Sequence, residues 1–316
     1  MRIVYMGTPD FAVGALEAII EAGHEVTAVV TQPDKPKGRS GELIPSPVKE
    51  AAIKAGIPVF QPVRLRRPEA VEELKKYPAD IYVVAAFGQI LSDEVLGIPK
   101  YGCVNIHASL LPHLRGASPI QHAILQGDRE SGVTIMQMDS GIDTGDILMQ
   151  EAIPIDPDET GGSLFDKLAD LGARMIVKAL PLIETGQLIP VPQDEQRADH
   201  VGMLDKSMGR IDFRSSAEEI ERRVRGLDPW PGAFTTLAGK QLKIWKSRVM
   251  STGFGAFPES AVPGMVISTD RNSIYVACGT GVIAIDELQL EGKKRMKTAD
   301  FLIGRKIEAG SKLGLA

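Results

Sequence analysis

Asp80-Ile81-Tyr82-Val83-Val84-Ala85-Ala86 is an almost wholly apolar run seven residues long. A strand with both faces buried reads this way, as it does in a parallel sheet covered by helices on either side. The chain upstream agrees. Arg2 to Met6 and Glu25 to Val30 read as strands, and Gly7-Thr8-Pro9-Asp10 between them supplies a turn, a Thr cap, a proline for the first helical position and an acid for the first turn. Phe11, Ala12, Leu16, Ile19 and Ile20 then share one helical face and Gly23 ends it, so residues 2–30 open a βαβ unit. The alternation continues through a helix capped by Ser46, a strand at Val59-Phe60 and a helix from Pro68 to Tyr77. The expected fold class is α/β, Rossmann-like, with a mostly parallel sheet. Neither GxGxxG nor GxxxxGK[ST] occurs, so that topology implies no nucleotide.

Downstream, Phe87-Gly88-Gln89 turns away from the apolar run, and Tyr101 to His107 reads as the next strand. A period of two puts Asn105 and His107 on one side and Ile106 on the other. In an open parallel sheet ligands sit beyond the carboxyl ends of the strands, where this pair lies. An amide can bind a developing oxyanion while an imidazole gives or takes a proton, which suits acyl transfer. A capping Asn and a half-buried His satisfied by backbone have the same spacing. Asp139, Asp143 and Asp146 then crowd a glycine-rich turn after a strand from Gly132 to Met138. Three carboxylates raise the question of a divalent cation, but the spacing is not that of an EF-hand and no phosphate-handling motif accompanies it, so no metal is expected.

The chain has 316 residues, enough for two domains. Its net charge of −5 is unevenly spread, with 18 Lys+Arg against 29 Asp+Glu in residues 1–205 but 18 against 12 in 206–316. An acidic first part and a basic second part fit a polyanionic partner such as RNA, although a solvated basic face has the same composition. Cys103 and Cys278 stand far apart without a CxxC or Cys/His cluster, so neither a disulfide framework nor a zinc site is expected. The amino terminus runs straight into a strand, and no apolar run approaches the ~20 residues of a membrane span. A cytoplasmic location without membrane attachment is the expectation.

The expected domains are 1–185, a linker over 186–205 where periodicity disappears, and 206–316. In the last, Ser216 and Glu219 form a capping-box pattern. Strand-like runs recur after it at Phe234–Thr236, Leu242–Val249, Gly264–Ser268, Ser273–Ala277 and Val282–Gln289. That spacing suggests a small closed barrel, OB-like. Thr31 to Pro45 is read as a long loop too rich in Pro, Gly and charge to be an element, with cations at Lys35, Lys37 and Arg39 that suit something negatively charged.

Asn105-Ile106-His107, followed by Ser109-Leu110-Leu111-Pro112 and Arg115-Gly116, resembles the signature of the folate-dependent formyltransferases. Met138-Asp139-Ser140-Gly141-Ile142-Asp143-Thr144-Gly145-Asp146 resembles the family's second motif. The resemblance implies an Asn, His, Asp site of Asn105, His107 and Asp143, in which Asn105 and protonated His107 hold an oxyanion and Asp143 orients the ring. It implies 10-formyltetrahydrofolate as formyl donor, with Phe87, Gly88, Gln89, Ser109, Leu110, Leu111 and Pro112 lining its pocket. The loop TQPDKPKGRSGELIPSPVK is similar to one that, in members acting on methionyl initiator tRNA, enters the acceptor stem, and Arg39 matches its arginine. Glu42 departs from that pattern, where a basic residue is common, and Leu204 to Arg210 lacks the family's usual Lys-Glu pair. Leu288 to Met296 with Asp300-Phe301-Leu302 is similar to the carboxyl-terminal domain of those members, which makes residues 206–316 the expected tRNA-binding domain and methionyl initiator tRNA the expected partner of a monomer.

Overall fold

A computed structural model describes residues 1–37, 42–250 and 261–314. Two compact units emerge: Met1–Pro119 with Glu130–Pro154 and Phe165–Val201, and Ile120–Arg129 with Ile155–Leu164 and Gly202–Ala316.

The first unit contains strands β1 (Arg2–Gly7), β2 (Glu25–Val30), β3 (Lys35–Lys37), β4 (Glu42–Ile44), β5 (Val59–Phe60), β6 (Ile81–Ala85), β7 (Cys103–His107), β8 (Arg115–Gly116), β9 (Glu130–Gln137), β10 (Ile147–Pro154) and β11 (His200–Val201). Helices α1 (Val13–Glu21), α2 (Pro47–Lys54), α3 (Pro68–Leu74) and α4 (Asp93–Leu96) connect them. The central sheet runs β10-β9-β7-β6-β1-β2-β5. Its neighbours from β7 to β5 pair in parallel, whereas β9 pairs antiparallel with both β7 and β10. Every residue of β6 is buried, which is why its sequence shows no alternation. Val84 pairs with Asn105, so the turn after β6 and the end of β7 lie level.

Sequence and structure differ in two places here. The segment 31–45 is not bare loop, because β3 and β4 pair as a short antiparallel hairpin. Asp34 anchors its base, accepting from Lys49 Nζ at 2.5 Å and Gln61 Nε2 at 2.8 Å. Arg39 lies outside the described residues. The second difference concerns 186–201, expected to start the linker. This stretch packs on the first unit, with a 3₁₀ turn at Glu195–Arg197 and β11 pairing parallel with β8. Its contacts are made by backbone hydrogen bonds and polar side chains, so no hydrophobic period announces them.

The second unit holds α5 (Pro119–Gln126) from Ile120 onward, the start of α6 (Gly161–Glu184), then α7 (Ala217–Gly226), β12 (Ala233–Leu237), β13 (Lys240–Val249), β14 (Val266–Thr269), β15 (Ile274–Ala277), β16 (Val282–Leu290), β17 (Met296–Lys297) and α8 (Thr298–Gly304). The antiparallel sheet β12-β13-β16-β15-β14 is the barrel-like domain that the strand spacing suggested. Its edges are joined by the segment 311–314: Gly314 N donates to Thr236 O at 3.0 Å, while Leu313 N donates to Gly264 O and Val266 N to Ser311 O, both at 2.8 Å. Ile220, Val224, Leu242, Ile244, Val276, Ile283, Ile285 and Leu288 fill its core.

Candidate active site

The site is built on the carboxyl end of β7. His107 is buried, and its Nε2 lies 3.1 Å from the carbonyl oxygen of Leu114. A carbonyl can only accept, so Nε2 carries the proton and Nδ1 holds the lone pair whenever the ring is neutral. Nδ1 faces Asp143, 3.6 Å from its Oδ1. Asn105, two residues back on β7, is half-buried.

Of the three carboxylates in the following turn, Asp143 is the one that meets His107. Asp139 Oδ1 is taken up inside the turn, accepting from Gly141 N at 3.0 Å and Thr144 Oγ1 at 2.7 Å. Asp143 sits at φ +55, in the left-handed region, and its Oδ2 accepts from Gly116 N at 2.8 Å. Gly116 itself has φ +98, and a Cβ there would stand 2.6 Å from Val201 O. Only glycine permits that approach of β8 to β11. Among the described residues no three His, Cys, Asp or Glu side chains gather as a metal-binding group.

The expected folate-lining residues divide into two sets. The Phe87 ring is core, 2% exposed among Val4, Val84, Leu91 and Val95. Ser109 is buried and donates to His113 O at 2.6 Å, and buried Leu111 receives Gln150 Nε2 on its carbonyl at 2.9 Å. These three side chains are buried. Gly88, Gln89, Leu110 and Pro112 keep exposure at the strand ends, as do Ala86 and Ile90. The turn after β6 is braced: Phe87 O accepts from Thr8 Oγ1 at 3.0 Å and Gln32 Nε2 at 3.1 Å, and Gln89 bridges Leu65 N (2.7 Å) and Pro62 O (2.9 Å). Gly88, at φ +75, leaves room for Gln32, whose Nε2 a Cβ would meet at 2.4 Å. A preformed turn with an accessible apolar edge beside Asn105 fits a flat heterocycle.

Sequence reading did not assign a role to Arg115, Gln193, Glu195 or Asp199. Arg115 is fully buried and forks onto exposed Glu195 at 2.7 and 3.0 Å, holding that carboxyl below its ordinary range. Its Nε donates to Gln193 Oε1 at 3.0 Å. The one signal available was an arginine at a strand end matched by a polar, acidic stretch some eighty residues on, and that signal carries no period. Lys35 is exposed on β3, while Lys37 lies at that strand's end.

Comparison with known proteins bears on both units. A family model described as formyl transferase matches residues 1–180, and one described as formyl transferase, C-terminal domain, matches 203–306. A methionyl-tRNA formyltransferase of Lachnospira eligens is 55% identical over 314 residues, covering 99% of this chain and 100% of that protein. One of Geobacter sulfurreducens is 48% identical, covering 100% and 98%. Among solved structures, an N-formyltransferase from Helicobacter canadensis in complex with folinic acid and dTDP-3-aminofucose superposes with TM-score 0.64 at 21% identity, covering 90% of this chain and 98% of that one. HypX from Aquifex aeolicus in complex with tetrahydrofolic acid gives 0.62 at 19%, covering 96% and 47%. These two share the fold. The identities near one half along both domains show more, and this chain belongs to the formyl transferase family as a formyltransferase enzyme.

Proposed function

We infer that the protein transfers the formyl group of 10-formyltetrahydrofolate to the free amino group of methionyl initiator tRNA. The observation that carries this reading is the pairing of buried His107 with half-buried Asp143, beside Asn105 at the carboxyl end of β7, in a chain 55% identical over 314 residues to a methionyl-tRNA formyltransferase. When bound, 10-formyltetrahydrofolate supplies an activated formyl carbon, with Gly88, Gln89, Leu110 and Pro112 as the accessible wall and Phe87, Ser109 and Leu111 as its support. Asn105 donates its amide hydrogen to the oxygen on which negative charge develops. His107 is anchored through Nε2, so Nδ1 is the ring nitrogen that accepts the proton leaving the attacking amine, and that proton passes to the folate nitrogen as its bond to the formyl carbon breaks. The Asp143 carboxylate, 3.6 Å away, stabilises the imidazolium so formed and keeps the ring oriented.

Lys35, Lys37 and Arg39 are assigned to the tRNA, together with the basic segment 206–316, because a small amine substrate needs neither. All the proposed reacting groups come from one chain, so a monomer suffices. No helix among the described residues is long and apolar enough to cross a membrane, and a cytoplasmic enzyme of translation fits that.

The test is formyl transfer from 10-formyltetrahydrofolate to methionyl initiator tRNA, with uncharged initiator tRNA and a charged elongator tRNA as controls. Turnover with the charged initiator and little with either control is expected. Efficient formylation of an amino sugar nucleotide in place of tRNA overturns the assignment.

A further inference from the structure

We propose that Gln193 and Asp199, in the stretch that follows α6, are positioning residues for the reaction. The proposal rests on the reading of His107 and Asp143 given above. Gln193 spends its whole amide on the site. Its Nε2 donates to Asp143 O at 2.9 Å and to Gly145 O at 2.7 Å, while its Oε1 accepts from the buried Arg115. The turn it grips needs such a grip, because Asp143 holds a left-handed φ that costs a non-glycine residue of order 1 kcal/mol or more. Asp199 acts on the other partner of His107. Its Oδ1 accepts from Leu114 N at 2.6 Å and lies 2.9 Å from His113 Nδ1, and its carbonyl accepts from Arg115 N at 3.0 Å. Leu114 also has a positive φ, +59, and its carbonyl is the one that anchors His107 Nε2. Thus the two residues that bracket the imidazole, Leu114 and Asp143, are each held at the backbone by a side chain from 193–199. The backbone pairing of β11 with β8 adds a third tie, through Gly116, whose N–H holds Asp143 Oδ2.

Neither side chain touches the reacting atoms, so the effect of removing either should fall on geometry. Misplacement of a reacting group by an ångström costs up to about 100-fold in rate. The decisive experiment is a double-mutant cycle on the full-length enzyme with Gln193→Met and Asp143→Asn, reading kcat and both KM values, with melting temperature as a control for folding. Gln193→Met keeps the side-chain length and removes all three hydrogen bonds. We expect it to lower kcat by about 10-fold or more, with both KM values little changed, and to lower it hardly further when Asp143 is already Asn. Gln193→Glu keeps an acceptor facing Arg115 and loses both donations to the turn. It should behave like Gln193→Met, and it serves in place of that variant if Gln193→Met does not fold. Wild-type kcat in Gln193→Glu, or an equal loss of kcat with and without Asp143, overturns the proposal. Failure of the underlying reading has its own signature, namely wild-type kcat in Asp143→Asn alone, and the positioning role then falls with it.

Discussion

His107 shows what one residue type in one place commits a site to. A carbonyl on Nε2 and a carboxylate toward Nδ1 fix the orientation of the imidazole, and the base role proposed for it rests on that orientation. His107→Ala and Asn105→Ala are each expected to lower kcat roughly 100- to 1000-fold while leaving folate binding nearly intact, since both serve the charge that develops during reaction. Single-turnover rates alongside equilibrium folate binding would check this, and a near-normal rate in either variant removes that residue from the chemistry. Gly116 is the less obvious residue. An added methyl group would meet Val201 O at 2.6 Å in a backbone conformation that alanine resists. Gly116→Ala should therefore lose activity by displacing the N–H that holds Asp143, and should lower stability by about 1–3 kcal/mol as well. Wild-type activity with a lowered melting temperature would show that the Gly116–Asp143 hydrogen bond is structural only.

Among the elements, those whose signal is periodic or capped were legible and those held by isolated polar contacts were not. The helix at Ala217–Gly226 carries both hydrogen bonds of its capping box, Ser216 N to Glu219 Oε2 at 2.8 Å and Glu219 N to Ser216 Oγ at 3.2 Å, and the pattern was visible as Ser216 with Glu219. Ser216→Ala should cost about 1 kcal/mol of stability, measurable as a fall in melting temperature, and no fall at all would sink this account of the cap. By contrast β8 and β11 are two residues long, and β3 and β4 three, too short for alternation to register. The proposed triplet of Asn105, His107 and Asp143 was suggested by motif resemblance rather than period, while Gln193 and Asp199 were hidden in a stretch whose composition reads as connector. The start of β1 supplies a pH test of the same kind. Arg2 hydrogen-bonds Asp80, just before β6, and holds its carboxyl down to about 2. A depressed carboxylate contributes stability above its unfolded value, near 4, and loses that contribution as pH falls toward 2. Asp80→Asn should thus be less stable than wild type at pH 7, with the difference in melting temperature shrinking toward pH 3. An undiminished difference at pH 3 would show that the Arg2 pairing does not contribute in this way.

At the scale of the whole molecule, each unit has its own apolar core and each core contains one of the two cysteines. Cys103 is packed with Tyr82, Val84 and Val95 in the first unit, and Cys278 with Phe213, Val276 and Ile283 in the second. Burial pushes both thiols up to about 12. At pH 8 a thiol with that value is ionised to only about one part in ten thousand, and the thiolate is the form that reacts. Both cysteines should therefore resist a thiol reagent in the native protein and react once their own unit opens. Because each cysteine belongs to a core cluster of its own unit, the two residues need not become reactive together. Labelling across a denaturant series, with mass spectrometry of the peptides carrying Cys103 and Cys278, should give two midpoints, each coinciding with the loss of structure in one unit. A single shared midpoint would mean that the units unfold as one cooperative body, and rapid labelling without denaturant would show that the core around that cysteine opens readily in the native protein.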